Sequence, residues 1–322
     1  MSANLGRWSM FTATLIAERN LDDALLSDIV HEFDTECTAG RLKTVDWIDQ
    51  DRAADLTFDP AKDFSDKDCA ELAAAMQQRA WAIAKGGFGR ELAMDIIVQP
   101  TAGREKRALV ADMDSTMITV ECIDELADYA GIKPEIAAIT EAAMRGELDF
   151  EAALDARVRL LKGMDASVID RCLAERVGIM PGARALVRTM RARGARCVLV
   201  SGGFTRFAEP VAAEIGFDRA IANVLEIEGR RLTGAVRRPI VGAEAKERAL
   251  RETVAEAGVG LESALAVGDG ANDLPMIRAA GLGVAYRAKP IVAAAAGARI
   301  EHSDLSALLY AQGVPRREWV TS

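Results

Sequence analysis

The chain has 322 residues, half of them hydrophobic and 28% charged, enough to bury one large core or two domains and unlike a disordered or fibrous polymer. Forty basic against forty-nine acidic side chains leave a formal charge of −9, which excludes nucleic acid as a general partner and means that a small anionic ligand needs its own cationic pocket. No apolar run reaches the roughly 18 residues of a membrane span, and residues 1–10 lack the basic-then-apolar order of a secretory signal, so the expectation is a cytoplasmic protein with no membrane partner.

Apolar residues from Met10 to Ile16 predict a strand, and the spacing from Leu21 to Phe33 predicts an amphipathic helix. Leu42–Asp49 and Ala53–Phe58 read as two strands, Ser65–Ala84 as a second helix and Leu92–Val98 as a fourth strand. This β-α-β-β-α-β order is that of a ferredoxin-like α+β domain. Its layout resembles the ACT-type regulatory domains that bind amino acids, although no ligand motif accompanies it. Residues 1–100 therefore read first as scaffold or homodimer surface, with an amino-acid effector site as the alternative.

Pro100, Gly103 and a run of charges make Gln99–Arg107 a predicted linker, dividing the chain into residues 1–100 and 101–322. Beyond it the pattern changes. Four short apolar runs, Ala108–Ala111, Cys197–Val200, Ala264–Val267 and Leu282–Ala285, alternate with helical segments at Arg184–Arg193, Ala243–Glu256 and Leu274–Ala280. Such runs are the buried strands of a doubly wound α/β fold with a parallel sheet. The 89 positions between Asp112 and Ser201 far exceed the roughly 30 of one βαβ crossover. Helical spacing at Glu121–Ala130, Pro134–Met144, Phe150–Leu161 and Ala166–Glu175 makes the excess an inserted helical cap at about 119–180, above the strand ends where open α/β sheets bind ligands. Val224–Ile227 and Leu232–Val236 flank a hairpin turn at Glu228-Gly229-Arg230-Arg231.

His31 and His302 are the only histidines, and Cys37, Cys69, Cys122, Cys172 and Cys197 form no CxxC pair. A zinc cluster, a disulfide framework and a histidine triad are thus disfavoured, which leaves carboxylate chemistry. The first parallel strand ends in Asp112-Met113-Asp114-Ser115-Thr116. By itself such a DxD pair reads as a turn with solvated aspartates. Three further features change the weighting. Ser201-Gly202-Gly203-Phe204 offers a hydroxyl and backbone N–H groups at an expected helix N-terminus. Lys246 opens a helix, and Gly268-Asp269-Gly270-Ala271-Asn272-Asp273 supplies more carboxylates for a metal.

DMDST, SGGF, the lysine and GDGANDLPM together resemble the four signature motifs of the haloacid-dehalogenase superfamily of phosphohydrolases. Glu121-Cys122-Ile123-Asp124-Glu125, Met144 through Phe150, and Arg157 through Gly163 resemble its phosphoserine phosphatases, a likeness covering roughly Ala108–Leu308. The resemblance implies a HAD-like, Rossmannoid domain that hydrolyses O-phospho-L-serine to L-serine and phosphate, the terminal step of serine biosynthesis in this family. It implies Asp112 as nucleophile, Asp114 as acid and base, and Mg²⁺ held by Asp112, the Asp114 carbonyl and Asp269, with Asp273 acting through a metal-bound water. Ser201, Gly202 and Lys246 would hold the phosphoryl oxygens, and Asn272 would orient Lys246 or the phosphate. Glu121 and Arg157 would read the ammonium and carboxylate of the substrate, and Phe150 would pack on the ligand or seal the cap. Taken singly, Glu121, Arg157 and Lys246 read as ordinary helix charges and Asn272 as an N-cap. Rival functions are a phosphotransferase, a phosphatase of another small metabolite, and a non-catalytic amino-acid sensor.

Overall fold

A computed structural model describes residues 10–19, 21–36, 39–62, 64–89, 91–144 and 147–321; Cys37, Arg145 and Gly146 lie outside them. The first hundred residues form β1 (Phe11–Ala17), α1 (Asp23–Glu36), β2 (Gly40–Asp49), β3 (Ala53–Pro60), α2 (Asp66–Phe88) and β4 (Met94–Pro100). Their antiparallel sheet runs β2-β3-β1-β4, the ferredoxin-like order. Local chemistry fixes the ends of the longer helix. Ser65 and Asp68 close a capping box at its start, and Gly89 ends it at φ 61°. Leu21, Leu25, Ile29 and Phe33 from the α1 side and Met76, Ala80 and Ala84 from α2 cover one face of the sheet.

Along β1 and β4 the second face is not open to solvent. All seven residues of β1 are buried, and Ile16, Ala53 and Ile97 join the core of the following region. Asp95 of β4 is buried and accepts backbone N–H bonds from Glu301 (2.8 Å), His302 (3.2 Å) and Ser303 (2.7 Å). Gln99 Nε2 donates to the Ala311 carbonyl at 2.7 Å, and the Lys106 N–H donates to Gln312 Oε1 at 3.0 Å. The stretch expected to be a linker is therefore pinned. Its charges satisfy partners across the junction, as when Arg104 meets Asp55 at 2.6 Å, where composition alone suggests solvation.

After β5 (Ala108–Ala111) come four cap helices, α3 (Cys122–Ala130), α4 (Lys133–Met144), α5 (Phe150–Leu160) and α6 (Ser167–Arg176). The chain returns through α7 (Ala183–Ala192), β6 (Arg196–Phe204), α8 (Thr205–Ile215), β7 (Arg219–Asn223) and the hairpin β8 (Leu225–Glu228) and β9 (Arg231–Val236). It ends with α9 (Ala243–Glu256), β10 (Ala264–Gly268), α10 (Leu274–Ala279), β11 (Leu282–Tyr286), α11 (Pro290–Ala293), β12 (Ala298–Ile300) and α12 (Ala307–Ala311). Six parallel strands run β12-β11-β10-β5-β6-β7. Leu109, Ala111, Cys197 and Leu199 point to the α7 and α8 side, while Ala108, Val110, Val198 and Val200 point to α9 and α10. That two-residue alternation explains why the runs are apolar throughout.

Backbone bonds attach the cap at its base and higher up. At its base Ile118 bridges Ile179, the Thr119 N–H donates to Gly178 O, and the Met180 N–H donates to Met117 O, both at 2.9 Å. Higher up, β9 pairs with the turn between α5 and α6. The Gly163 N–H donates to Leu232 O at 2.9 Å, the Leu232 N–H to Met164 O at 2.9 Å, and the Ala166 N–H to Arg230 O at 2.8 Å. No helix among the described residues is long and apolar enough to cross a membrane.

Candidate active site

Parallel pairing brings the tips of β5, β6 and β10 to one edge of the sheet, where the DxD and GDG segments leave it and SGG forms the end of β6. The Asp112 N–H donates to the Val267 carbonyl at 3.0 Å, so strand pairing continues to the first aspartate before the chain turns. Ser115 then adopts φ 55°, uncommon for a residue with a Cβ, and its hydroxyl donates to Glu121 Oε1 at 2.7 Å. This turn aims the Asp112 and Asp114 carboxyls into the crevice under the cap.

Lys246 is fully buried, with Nζ 2.6 Å from Asp112 Oδ1 and 2.5 Å from Asp273 Oδ1. Burial acts to lower its pKa, and the two carboxylates overcome that and hold it above the ordinary lysine value. Asp273 also accepts the Gly270 N–H at 3.0 Å. Gly268 makes this packing fit, since a Cβ there would lie 2.4 Å from Asp273 Cγ. The residue that meets Lys246 is thus Asp273; of the two expectations for Asn272, to orient Lys246 or the phosphate, the structure shows no contact with Lys246. Asn272 is half-buried at the mouth, its Oδ1 set against Gly270. The expected helix N-terminus at SGG also shifts, because β6 runs through Phe204 and α8 starts at Thr205. Ser201 is buried, and its Oγ accepts the Gly203 N–H at 2.8 Å.

Carboxylate oxygens of Asp112, Asp269 and Asp273 lie within 4.8 Å of one another. Burial first, then the charge of Asp273, pushes the Asp112 carboxyl well above its ordinary range against the pull of Lys246. Burial and the charges of Asp273 and Glu121 push Asp269 up to about 6. Three crowded carboxylates against one ammonium leave a deficit of positive charge, and an all-oxygen donor set suits a hard divalent cation, so these residues can hold a divalent metal. Thr116 Oγ1 donates to Asp269 Oδ1 at 3.4 Å, a support with no motif signature of its own. Asp114 accepts the Cys122 N–H at 3.1 Å and faces Gly203, and burial followed by the Glu121 charge raises its pKa to about 7. A carboxyl raised this far can both give and take a proton near neutral pH.

The cap supplies the remaining predicted residues. Phe150, at the first turn of α5, lays its ring on the strand tips: a Cβ on Gly202 would meet Phe150 Cζ at 3.0 Å, and one on Gly242 would meet Cδ1 at 3.3 Å. Arg157 is partly buried and its Nε donates to the Ala153 carbonyl at 3.2 Å. Burial lowers its pKa, opposed by the carboxylates of Asp124, Glu121 and Asp114. Glu121 is exposed at the start of α3, without a capping bond from its side chain.

This arrangement has a counterpart among known proteins. The family model described as haloacid dehalogenase-like hydrolase matches residues 109–278, more than half of the chain. The chain belongs to that family. This haloacid dehalogenase-like hydrolase is 50% identical over 215 residues, 67% of its length, to the phosphoserine phosphatase of Streptomyces coelicolor. It spans about half, 52%, of that relative's length. It is 42% identical over 248 residues to the phosphoserine phosphatase of Archaeoglobus fulgidus, covering 76% of this chain and 69% of that one. A solved structure of a probable phosphoserine phosphatase from Vibrio cholerae superposes with a TM-score of 0.72 at 30% identity, over 97% of this chain and 88% of that one. That match includes the N-terminal antiparallel sheet as well as the hydrolase fold.

Proposed function

We propose that this hydrolase is a phosphoserine phosphatase that turns O-phospho-L-serine into L-serine and phosphate through an aspartyl-phosphate, as the last step of L-serine biosynthesis. The observation that carries the reading is the contact of Asp112 with fully buried Lys246 beside the Asp114 carboxyl, in a chain whose relatives bear that name. In the first half-reaction Asp112 attacks phosphorus, the bond to the serine oxygen breaks, and protonated Asp114 gives its proton to that oxygen. In the second, Asp114 takes a proton from water, the water oxygen attacks phosphorus, and Asp112 is released with phosphate. The Ser201 hydroxyl, the Gly202 N–H and Lys246 steady the other phosphoryl oxygens throughout.

Mg²⁺ is the metal we assign to Asp112, Asp269 and the Asp114 carbonyl, with Asp273 at one remove; when bound it supplies charge that offsets repulsion between nucleophile and phosphate. Arg157 grips the substrate carboxylate, Glu121 pairs with the ammonium, and Phe150 closes the cap on Gly202. Residues 1–100 and 101–322 are the proposed domains, with the cap at about 119–180. For the first domain we propose a scaffold or homodimer surface, with an amino-acid effector in the cavity of about 560 Å³ between α1 and α2, lined by Ile29, Phe33, Phe64, Leu72 and Met76, as the alternative. Ligand-induced thermal shifts and light scattering test these two points. A cytoplasmic location accords with the free buried thiols of Cys69, Cys122, Cys172 and Cys197.

The deciding experiment is phosphate release from a panel of phosphorylated amino acids and sugars, with and without Mg²⁺ and with and without an acceptor alcohol. Preferred, Mg²⁺-dependent release from phosphoserine is expected. Preference for a sugar phosphate, or transfer to the alcohol in place of release, overturns the reading, and no turnover of any ester favours the sensor.

A further inference from the structure

Asn223, the last residue of edge strand β7, is 1% exposed and belongs to none of the four motifs. Its amide is satisfied on both sides. Nδ2 donates to the Gly202 carbonyl at 2.9 Å and toward the Val241 carbonyl at 3.3 Å, while Oδ1 accepts the Val241 N–H at 2.8 Å. The Val241 N–H demands an oxygen opposite it, so only one orientation of the amide fits. We infer that Asn223 is a positioning residue that holds the two halves of the phosphoryl-binding cradle, the Ser201–Gly203 segment and the turn into Lys246, in one geometry. This inference rests on the phosphatase reading above.

Each bond has a consequence in the cradle. With its carbonyl held by Asn223, the Gly202–Gly203 peptide presents its N–H to Ser201 Oγ. A hydroxyl that accepts there has its own proton free to donate into the crevice, toward a phosphoryl oxygen. On the other side, Val241 is followed by Gly242, whose carbonyl accepts the Lys246 N–H at 3.1 Å at the start of α9. Fixing Val241 therefore fixes the entry of the helix that carries the ammonium. The need for such a clamp comes from the hairpin. Residues 224–240 leave the sheet between the two points that Asn223 ties together, and β9 is bonded to the cap at Gly163 and Met164, with Arg230 of the hairpin turn bonded to Ala166. Arg238 adds ion pairs to Asp155 at 2.5 Å and Glu151 at 3.6 Å on α5. Cap displacement pulls on the hairpin, and the Asn223 amide stands between that pull and the cradle.

The test compares the full chain with Asn223→Asp and Asn223→Ala, and with Thr189→Val as a control. Asn223→Asp keeps shape and the bond from Val241 but loses both donations. Thr189→Val removes a part-buried bond, the 2.8 Å contact from the Val320 N–H, on the far helix α7. Three quantities are read: kcat and KM for phosphoserine, the affinity for inorganic phosphate by calorimetry, and the thermal midpoint. Both Asn223 variants should lose about 10²-fold in kcat with a much smaller change in KM, and should bind phosphate at least about tenfold more weakly. Thr189→Val should lower the midpoint and leave kcat and phosphate affinity unchanged. Wild-type kcat and phosphate affinity in Asn223→Asp overturn the inference, and so does failure of both Asn223 variants to fold while Thr189→Val folds. If the wild-type chain does not hydrolyse phosphoserine, the phosphatase reading fails separately, and the phosphate affinities still decide the role of Asn223.

Discussion

Lys246→Met tests the electrostatics of the site. The ammonium lies 2.6 Å from Asp112 and 2.5 Å from Asp273 with no exposed surface, and methionine fills similar space without charge or donor. Removing one partner of a buried ion pair costs about 3 to 5 kcal/mol, because the remaining charge is left unpaired. The pH dependence has a definite sign. Burial and Asp273 already hold the Asp112 carboxyl above its ordinary 3.8, and Lys246 opposes them, so the variant carries Asp112 higher still. A carboxyl whose folded pKa exceeds its unfolded one weakens the fold above that folded pKa, and the loss is recovered as pH falls toward the unfolded value. Urea unfolding at about pH 7.5 and about pH 5 should show the deficit of Lys246→Met relative to wild type shrinking on acidification. Phosphate release should fall by about 10²-fold or more, the usual effect of losing a donor to a developing anion. A deficit that is constant or grows on acidification, or activity within about tenfold of wild type, would refute the placement of Lys246 between Asp112 and Asp273.

Asp95→Ala leaves the buried N–H of Ser303 and the part-buried ones of Glu301 and His302 without their acceptor, and should destabilise the chain by about 2 to 3 kcal/mol in urea; a loss under about 1 kcal/mol would mean that the junction is solvated. Burial lowers the Lys106 pKa from 10.5 to about 8. The unfolded chain therefore binds more protons than the folded one between these values, and the stability of wild type relative to Lys106→Met should rise with pH there, by up to about 1.4 kcal/mol per unit. A flat or falling difference would contradict the burial of that ammonium. Arg157→Ala should cost far more kcat/KM on phosphoserine than on a phosphate ester lacking the carboxylate, and equal losses would remove Arg157 from substrate reading.

The repeated strand runs and the motif at each strand end were legible because buried parallel strands must be apolar on both faces, and because metal and phosphate ligands must be acidic, hydroxylic or glycine-flanked. Other parts were silent for physical reasons. β7 reads Arg219-Ala-Ile-Ala-Asn223, and an edge strand, half covered, need not be apolar, so the run lacks the signal that marks the central strands. β12 is three residues long, too short for periodicity to register. Asn272 and Asp273 are neighbours with overlapping chemistry, and only the packing of Asp273 under Gly268 decides which meets Lys246. The docking of the N-terminal sheet was invisible because Asp95, Gln99 and Arg104 are residue types normally exposed. Their partners lie some 50 to 200 positions away in sequence.

The most direct measurement is mass spectrometry of the chain quenched in acid during turnover of phosphoserine. A phosphoryl group on the peptide containing Asp112, lost on standing in alkali and missing from Asp112→Asn, is the expected result, and that variant should bind phosphoserine without hydrolysing it. A phosphoryl group on any other residue, or steady hydrolysis by Asp112→Asn, would contradict the assignment of Asp112 as the nucleophile.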